Sequence, residues 1–283
     1  MGKYVALIAD IKNSRELNEK DRIDCQKKLY VIINELNLIL SNYLNQKLVF
    51  SAGDSIQGLF HDLKSAIFCY YLIKNIFFPF EIRCGIGIGS IYKMTPDIEN
   101  ENNSNYLDGD SYHRAAFALD LCKEEDYYLL VNSDNLKNDV ILNQLFHSIM
   151  VLEKKQTKKQ RDINIMINIL YPALFHSFLL NDNYNEYIQL INKFLAKNIS
   201  SYRFNNFYLD KPKFQQITNK VNDIDNIYNE KRIFKKEPIS PNVHFHISEI
   251  IGISRESVRQ TVENGLMNEI RRLEILALLN SNI

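Results

Sequence analysis

The stretch Leu7-Ile8-Ala9-Asp10-Ile11-Lys12-Asn13-Ser14 ends a buried apolar run on an aspartate, at the point where the chain turns. Phe50-Ser51-Ala52-Gly53-Asp54-Ser55 has the same form. Each reads as the end of a strand. If the two strands are neighbours, the carboxylates of Asp10 and Asp54 converge at one edge of a sheet. Two such carboxylates can hold one or two Mg²⁺ (or Mn²⁺) ions, which in turn hold the phosphates of a nucleotide. The competing reading is two aspartates that only cap a helix and a hairpin turn.

Outward from these strings the pattern alternates. Tyr4 to Ala9 reads as a buried strand. From Ser14 onward Ile23, Leu29, Ile32, Ile33, Leu36 and Ile39 recur at helical spacing. Leu48 to Ser51 and Ile56 to Phe60 read as a hairpin turned at Gly53-Asp54, and Leu63 to Phe77 as an apolar helix. Glu81 to Ile91 reads as a strand whose Gly85, Gly87 and Gly89 leave one face bare, open to a ligand or to another backbone. Asn100 to Asp108 is a polar loop, Ser111 to Leu121 a helix and Tyr127 to Val131 a last strand. The order β-α-β-β-α-β-α-β predicts an α+β fold of ferredoxin-like, palm arrangement over residues 1–150.

Glycine marks the boundary. Six of the nine glycines fall from Gly53 to Gly109, and none lies between Gly109 and Gly252. Residues 151–283 are therefore expected to be helical. The basic run Lys154-Lys155-Gln156-Thr157-Lys158-Lys159-Gln160-Arg161 enters an apolar helix ending at Leu170, and residues 173–240 give no ordered pattern. Phe245 to Val262 then reads as helix, turn at Gly252, Ser254 as N-cap and a second helix. This is a helix-turn-helix at about 243–265, and a last helix runs from Leu266 to about Leu279. Arg255, Ser257, Arg259 and Gln260 would be exposed on its second helix, where Arg reads guanine and Gln adenine in duplex DNA. The competing reading is a helical hairpin used for packing, and Glu256 and Glu263 weigh on that side.

The bulk numbers exclude several classes. The 283 residues fit two domains, and 46% hydrophobic with 24% charged residues is a globular composition. The 34 Lys and Arg balance 34 Asp and Glu, so no global field draws the chain to nucleic acid or membrane. Cys25, Cys69, Cys84 and Cys122 stand singly, without zinc spacing, which favours a reduced, cytoplasmic setting. No apolar run is long enough for membrane insertion, and none of the start reads as a signal peptide.

Taken together, Ala9 to Arg15, Gly53 to Leu59, Ile82 to Gly89 and Gly109 to Ala115 resemble the SatD family of bacterial proteins. More distantly they are similar to class III nucleotidyl cyclases. The resemblance implies metal binding by Asp10 and Asp54, with the backbone of Ile11 contributing. It also implies a phosphate cradle at Ile11, Lys12, Asn13 and Ser14, with Arg15 and Gly53 beside it. Such a cradle agrees with the affinity of a helix N-terminus for anions, if that is where residues 11–14 lie. The helix-turn-helix fits the same family.

Two departures separate this chain from an active cyclase. Phe50 stands where a cyclase making cyclic AMP carries a base-reading Lys, and His113 and Phe117 stand where the resemblance places the transition-state Asn and Arg. Losing one preorganised donor commonly costs about 10²–10³ in rate. His113 and Arg114 remain the catalytic candidates, although an exposed histidine in a surface contact is the ordinary role for the former. Arg83, at a strand start, reads most simply as an ion-pair residue. The expectation is thus a cytoplasmic regulatory protein, working as a homodimer, that binds a Mg-nucleoside triphosphate and contacts DNA or a partner. An active nucleotidyl cyclase and a non-catalytic scaffold are the rivals.

Overall fold

The computed structural model describes residues 3–51, 55–93, 107–173, 186–187, 189–190 and 237–281. The chain divides into two compact units, one of residues 1–147 with 279–283 and one of residues 148–278.

The first unit is α+β. Its centre is a five-stranded sheet in the order β2-β3-β1-β4-β7, formed by β1 (Tyr4–Ile11), β2 (Leu44–Ser51), β3 (Ser55–Phe60), β4 (Ile82–Gly89) and β7 (Leu129–Asn132). β1 lies antiparallel between β3 and β4, and β7 runs parallel to β4. A two-stranded pair, β5 (Tyr92–Lys93) and β6 (Leu107–Asp108), precedes α3 (Asp110–Glu124). α1 (Glu19–Ile39) follows β1, and α2 (Leu63–Phe77) spans the residues its apolar pattern predicts. Asp62 starts α2 by accepting a 2.8 Å hydrogen bond from the Ser65 amide.

Pleating sorts β1 onto two faces. Val5, Leu7, Ala9 and Ile11 are buried on one side. On the other, Tyr4, Ala6, Ile8 and Asp10 stand opposite Gly89, Gly87, Gly85 and Arg83 of β4. α3 lies on this second face, where Tyr112 and Ala115 pack with Ala6 and Leu59. The bare strand left open by the sequence is thus filled by backbone: a Cβ on Gly85 would come 2.1 Å from the Ala115 carbonyl oxygen, and one on Gly87 2.0 Å from that of Ser111.

Both edge strands are capped by an asparagine. Asn37 of α1 donates to the Leu48 carbonyl at 2.9 Å and accepts from its amide at 2.8 Å. Asn143 does the same for Val131, at 2.9 and 2.7 Å. Each side-chain amide occupies one residue of the edge that would otherwise pair with another strand.

Two expectations change. Helix does not begin at Ser14: the chain makes one 3-10 turn over Ser14–Glu16, with Asn13 left-handed at φ 57°, and α1 begins at Glu19. Asn18 sets that start, because its side chain accepts from the Asp21 amide at 2.9 Å. A helix not anticipated from the sequence, α4 (Leu136–Lys154), follows β7.

In the second unit, α5 (Lys158–Leu170) opens on a capping box between Thr157 and Gln160. α6 (Pro241–Ile251) ends on Gly252, left-handed at φ 68°. Ser254 caps α7 (Arg255–Asn264) through a 3.1 Å bond from the Ser257 amide, and α8 (Met267–Leu279) follows. Helix, turn and helix therefore fall where the sequence puts them. Val243, Ile247, Val258 and Val262 are buried in the pair. Most of residues 173–240 lie outside the described residues.

Candidate functional site

Asp10 sits at the carboxyl end of β1, the middle strand of the sheet, between Ser55 on β3 and Arg83 on β4. Directly opposed residues share a face, so Asp10 looks toward the side that α3 covers. Its side chain is 16% exposed, and its Oδ2 lies 3.2 Å from the ammonium of Lys123 in the last turn of α3. Lys123 also lies 3.5 Å from Asp120. The thiol of Cys122, on the same turn, is pushed up to about 12 by burial and then by the negative charge of Asp10.

Gly53 and Asp54 lie outside the described residues. Ser55, the next residue in sequence, is in register with Asp10 and donates its hydroxyl to the Ala9 carbonyl at 3.3 Å. Across the hairpin Ser51 pairs with Ser55. Phe50 pairs with Ile56 and stacks on Tyr30 of α1, ring centroids 6.2 Å apart.

The proposed phosphate cradle is not at a helix N-terminus, because α1 starts after it. The α1 amides that would attract an anion therefore begin at Glu19, past residues 11–14. Lys12 points elsewhere: its ammonium is 2.7 Å from Asp126 and 3.6 Å from Glu81, and lies 4.8 Å from the centre of the Tyr128 ring. Arg83 joins that cluster at 3.9 Å from Asp126, the ion-pair role expected of it. Ser14 and Arg15 lie in the 3-10 turn, Arg15 exposed and Ser14 half-buried. Asn13 donates to Glu16 at 3.2 Å.

His113 and Arg114 stand at the other end of the sheet. His113, 71% exposed, is 3.1 Å from Asp108, and the Arg114 guanidinium donates to the Ile88 carbonyl. Ile88 pairs with Val5 and Arg83 with Asp10, five residues along β1, or about 17 Å. Within one chain these two side chains do not share a site with Asp10. The resemblance placed them in order along the sequence, but α3 runs back along β4 and carries its first turn away from the strand end. Phe117, in the middle of α3, is 56% exposed.

Lys123 is the residue that sequence reading missed. Its signal was present: the contacts of α3 step from Gly89 through Gly87 to Gly85, and one further turn brings α3 to the Asp10–Arg83 pair.

On α7, Arg255 and Gln260 are exposed, while Ser257 and Arg259 are half-buried. Arg259 is held by Glu256 at 2.6 Å and by Glu263 one turn on. Gln260 donates to Glu256 at 3.1 Å. The carboxyl of Glu256 is held down to about 2 by these bonds, that from Arg259 first.

Among the described residues no three His, Cys, Asp or Glu side chains gather for a metal ion. No helix among them is long and apolar enough to cross a membrane.

No curated protein matches the chain. Two solved structures of a bacterial light-regulated adenylyl cyclase are similar to it, at 16% identity and a TM-score of 0.33. Each match covers 46% of this chain, and 43% of one cyclase chain and 75% of the other. The chain thus spans less than half the length of the first. The model of the SatD family matches residues 4–211, well over half of the sequence, and the chain belongs to the SatD family.

Proposed function

We propose that this SatD family protein is a nucleotide-responsive regulator whose first unit binds a nucleoside triphosphate through Mg²⁺ or Mn²⁺. Asp10 and Asp54 would hold the metal, with the Ile11 carbonyl as a further oxygen ligand. One observation carries the reading: at the end of the central strand Asp10 already holds a cation, the Lys123 ammonium at 3.2 Å, beside the hairpin residue that follows Asp54. Two carboxylates and a main-chain carbonyl are hard oxygen donors, the kind that suits a dication. The strand order β2-β3-β1-β4 supports the ferredoxin-like palm reading of this unit. When bound, the metal would neutralise and orient the phosphates. Ser14 and Arg15, near that end of the sheet, are the phosphate partners; Lys12 is committed to Asp126 and Glu81.

The reading is of binding, not turnover. Phe50 and Phe117 offer no charge to a transferring phosphoryl group, and Arg114 lies at the far end of the ladder. For the α6–α7 pair the charges favour a protein partner over DNA. Arg255 and Arg259 on α7 are matched by Glu256 and Glu263, so the helix brings no net positive charge to a phosphate backbone. The α6–α7 pair is instead proposed as a contact element for a protein partner.

Equilibrium binding of fluorescent ATP and GTP analogues tests the first unit. The wild type should bind in Mg²⁺ and not in EDTA, Asp10→Asn and Asp54→Asn should each weaken binding at least tenfold, and no pyrophosphate should appear. Binding that is indifferent to both substitutions contradicts the assignment.

A further inference from the structure

We infer that Lys123 is a tethered counter-ion that occupies the Asp10 carboxylate in the metal-free protein and sets the affinity of that site for a divalent cation. The inference rests on the metal reading above and deepens it. Three observations carry it. The Lys123 ammonium is 3.2 Å from Asp10 Oδ2. Its side chain is 42% exposed, against 16% for Asp10, so the ammonium has a direct way out to water. It also has a second carboxylate that already holds it, Asp120, 3.5 Å away on the preceding turn and 68% exposed.

Charge then dictates the exchange. A dication and an ammonium cannot both sit against one carboxylate oxygen, because their repulsion at that separation exceeds what the ammonium gains there. Metal binding therefore requires Lys123, which contacts both carboxylates in the metal-free protein, to give up Asp10 and stay with Asp120. Without metal, the ammonium compensates the Asp10 charge under α3, where Arg83 is the other cation in register with it. Lysine suits this role better than arginine as a mobile point charge on a flexible stem. Asp120 retains the ammonium when Asp10 is given up, so Lys123 loses one of its two ion pairs and keeps the other.

The test reads metal binding itself, by Mn²⁺ titration followed by electron paramagnetic resonance, without nucleotide. Lys123→Gln should bind Mn²⁺ roughly three- to tenfold more tightly than wild type, as expected for losing one competing half-exposed charge. Lys123→Arg, which keeps the charge, should stay within about twofold of wild type. Asp10→Asn should lose the site. Asp120→Asn should weaken Mn²⁺ binding in the wild-type background and do so much less in Lys123→Gln, the coupling a double-mutant cycle isolates. Should Lys123→Gln fold poorly, Lys123→Met takes its place in the cycle, and Asp120, 68% exposed, tolerates its own substitution. Equal or weaker binding by Lys123→Gln, with binding still abolished in Asp10→Asn, overturns the inference and leaves the metal reading standing. Absence of Asp10-dependent binding in wild type and in Lys123→Gln overturns both.

Discussion

At Gly87 a single added carbon would lie 2.0 Å from the Ser111 carbonyl oxygen and 2.3 Å from the Ala115 amide nitrogen. Both are helix backbone, which cannot yield without lifting α3. Gly87→Ala should therefore destabilise the first unit by roughly 3 kcal/mol in denaturant unfolding, at the upper end for overpacking. Gly58 is the control: its added carbon meets the end of the Leu48 side chain at 2.7 Å, which can rotate away, so Gly58→Ala should cost under about 1.5 kcal/mol. Asp162 of α5 gives a second prediction at this scale. It is 1% exposed, and burial raises its carboxyl to about 6 against the pull of Lys158 and Arg161. The folded chain thus holds this proton more tightly than the unfolded chain. Between the ordinary carboxylate value and about 6, stability falls as pH rises, and above 6 the full penalty of about 2–3 kcal/mol is present. Asp162→Asn should raise stability at pH 7 and flatten the dependence from pH 4 to 6.5. An unchanged slope in the variant would assign that dependence to other groups.

Among the elements, what was legible followed from short-range chemistry. α2 fell at Leu63–Phe77 because Asp62 caps a largely apolar stretch, interrupted only at Lys64-Ser65 and Lys74-Asn75. Helix, Gly252, Ser254 and helix followed from the glycine and the cap. The start of α1 was missed because the same capping chemistry was offered twice, at Asn13 to Ser14 and at Asn18, and only the second propagates. α4 was missed because Leu136, Val140 and Ile141 are exposed, 75%, 59% and 41%, and blur the periodicity that marks a buried stripe. Thr157→Ala should cost the second unit about 1 kcal/mol, since it removes one half of the capping box that starts α5. A melting curve unaffected by it would mean that packing alone starts that helix.

On the scale of the whole molecule, glycine distribution pointed to an α/β first part and a helical second, and the chain divides between His147 and Ser148, with its last residues joining the first unit. The metal-nucleotide reading depends on one end of one sheet. Asp10 was legible as a strand-end carboxylate; the Lys123 that faces it was not, because nothing local in Leu121-Cys122-Lys123-Glu124 marks it. Only the path of α3 along the glycine face brings it there. The most direct test is paramagnetic broadening in the isotope-labelled protein on adding a Mn²⁺–nucleotide analogue. Amide signals of Asp10, Ile11 and Ser55 should broaden first, and Asp10→Asn should abolish the effect. Broadening that begins elsewhere, or that persists in Asp10→Asn, would contradict the site.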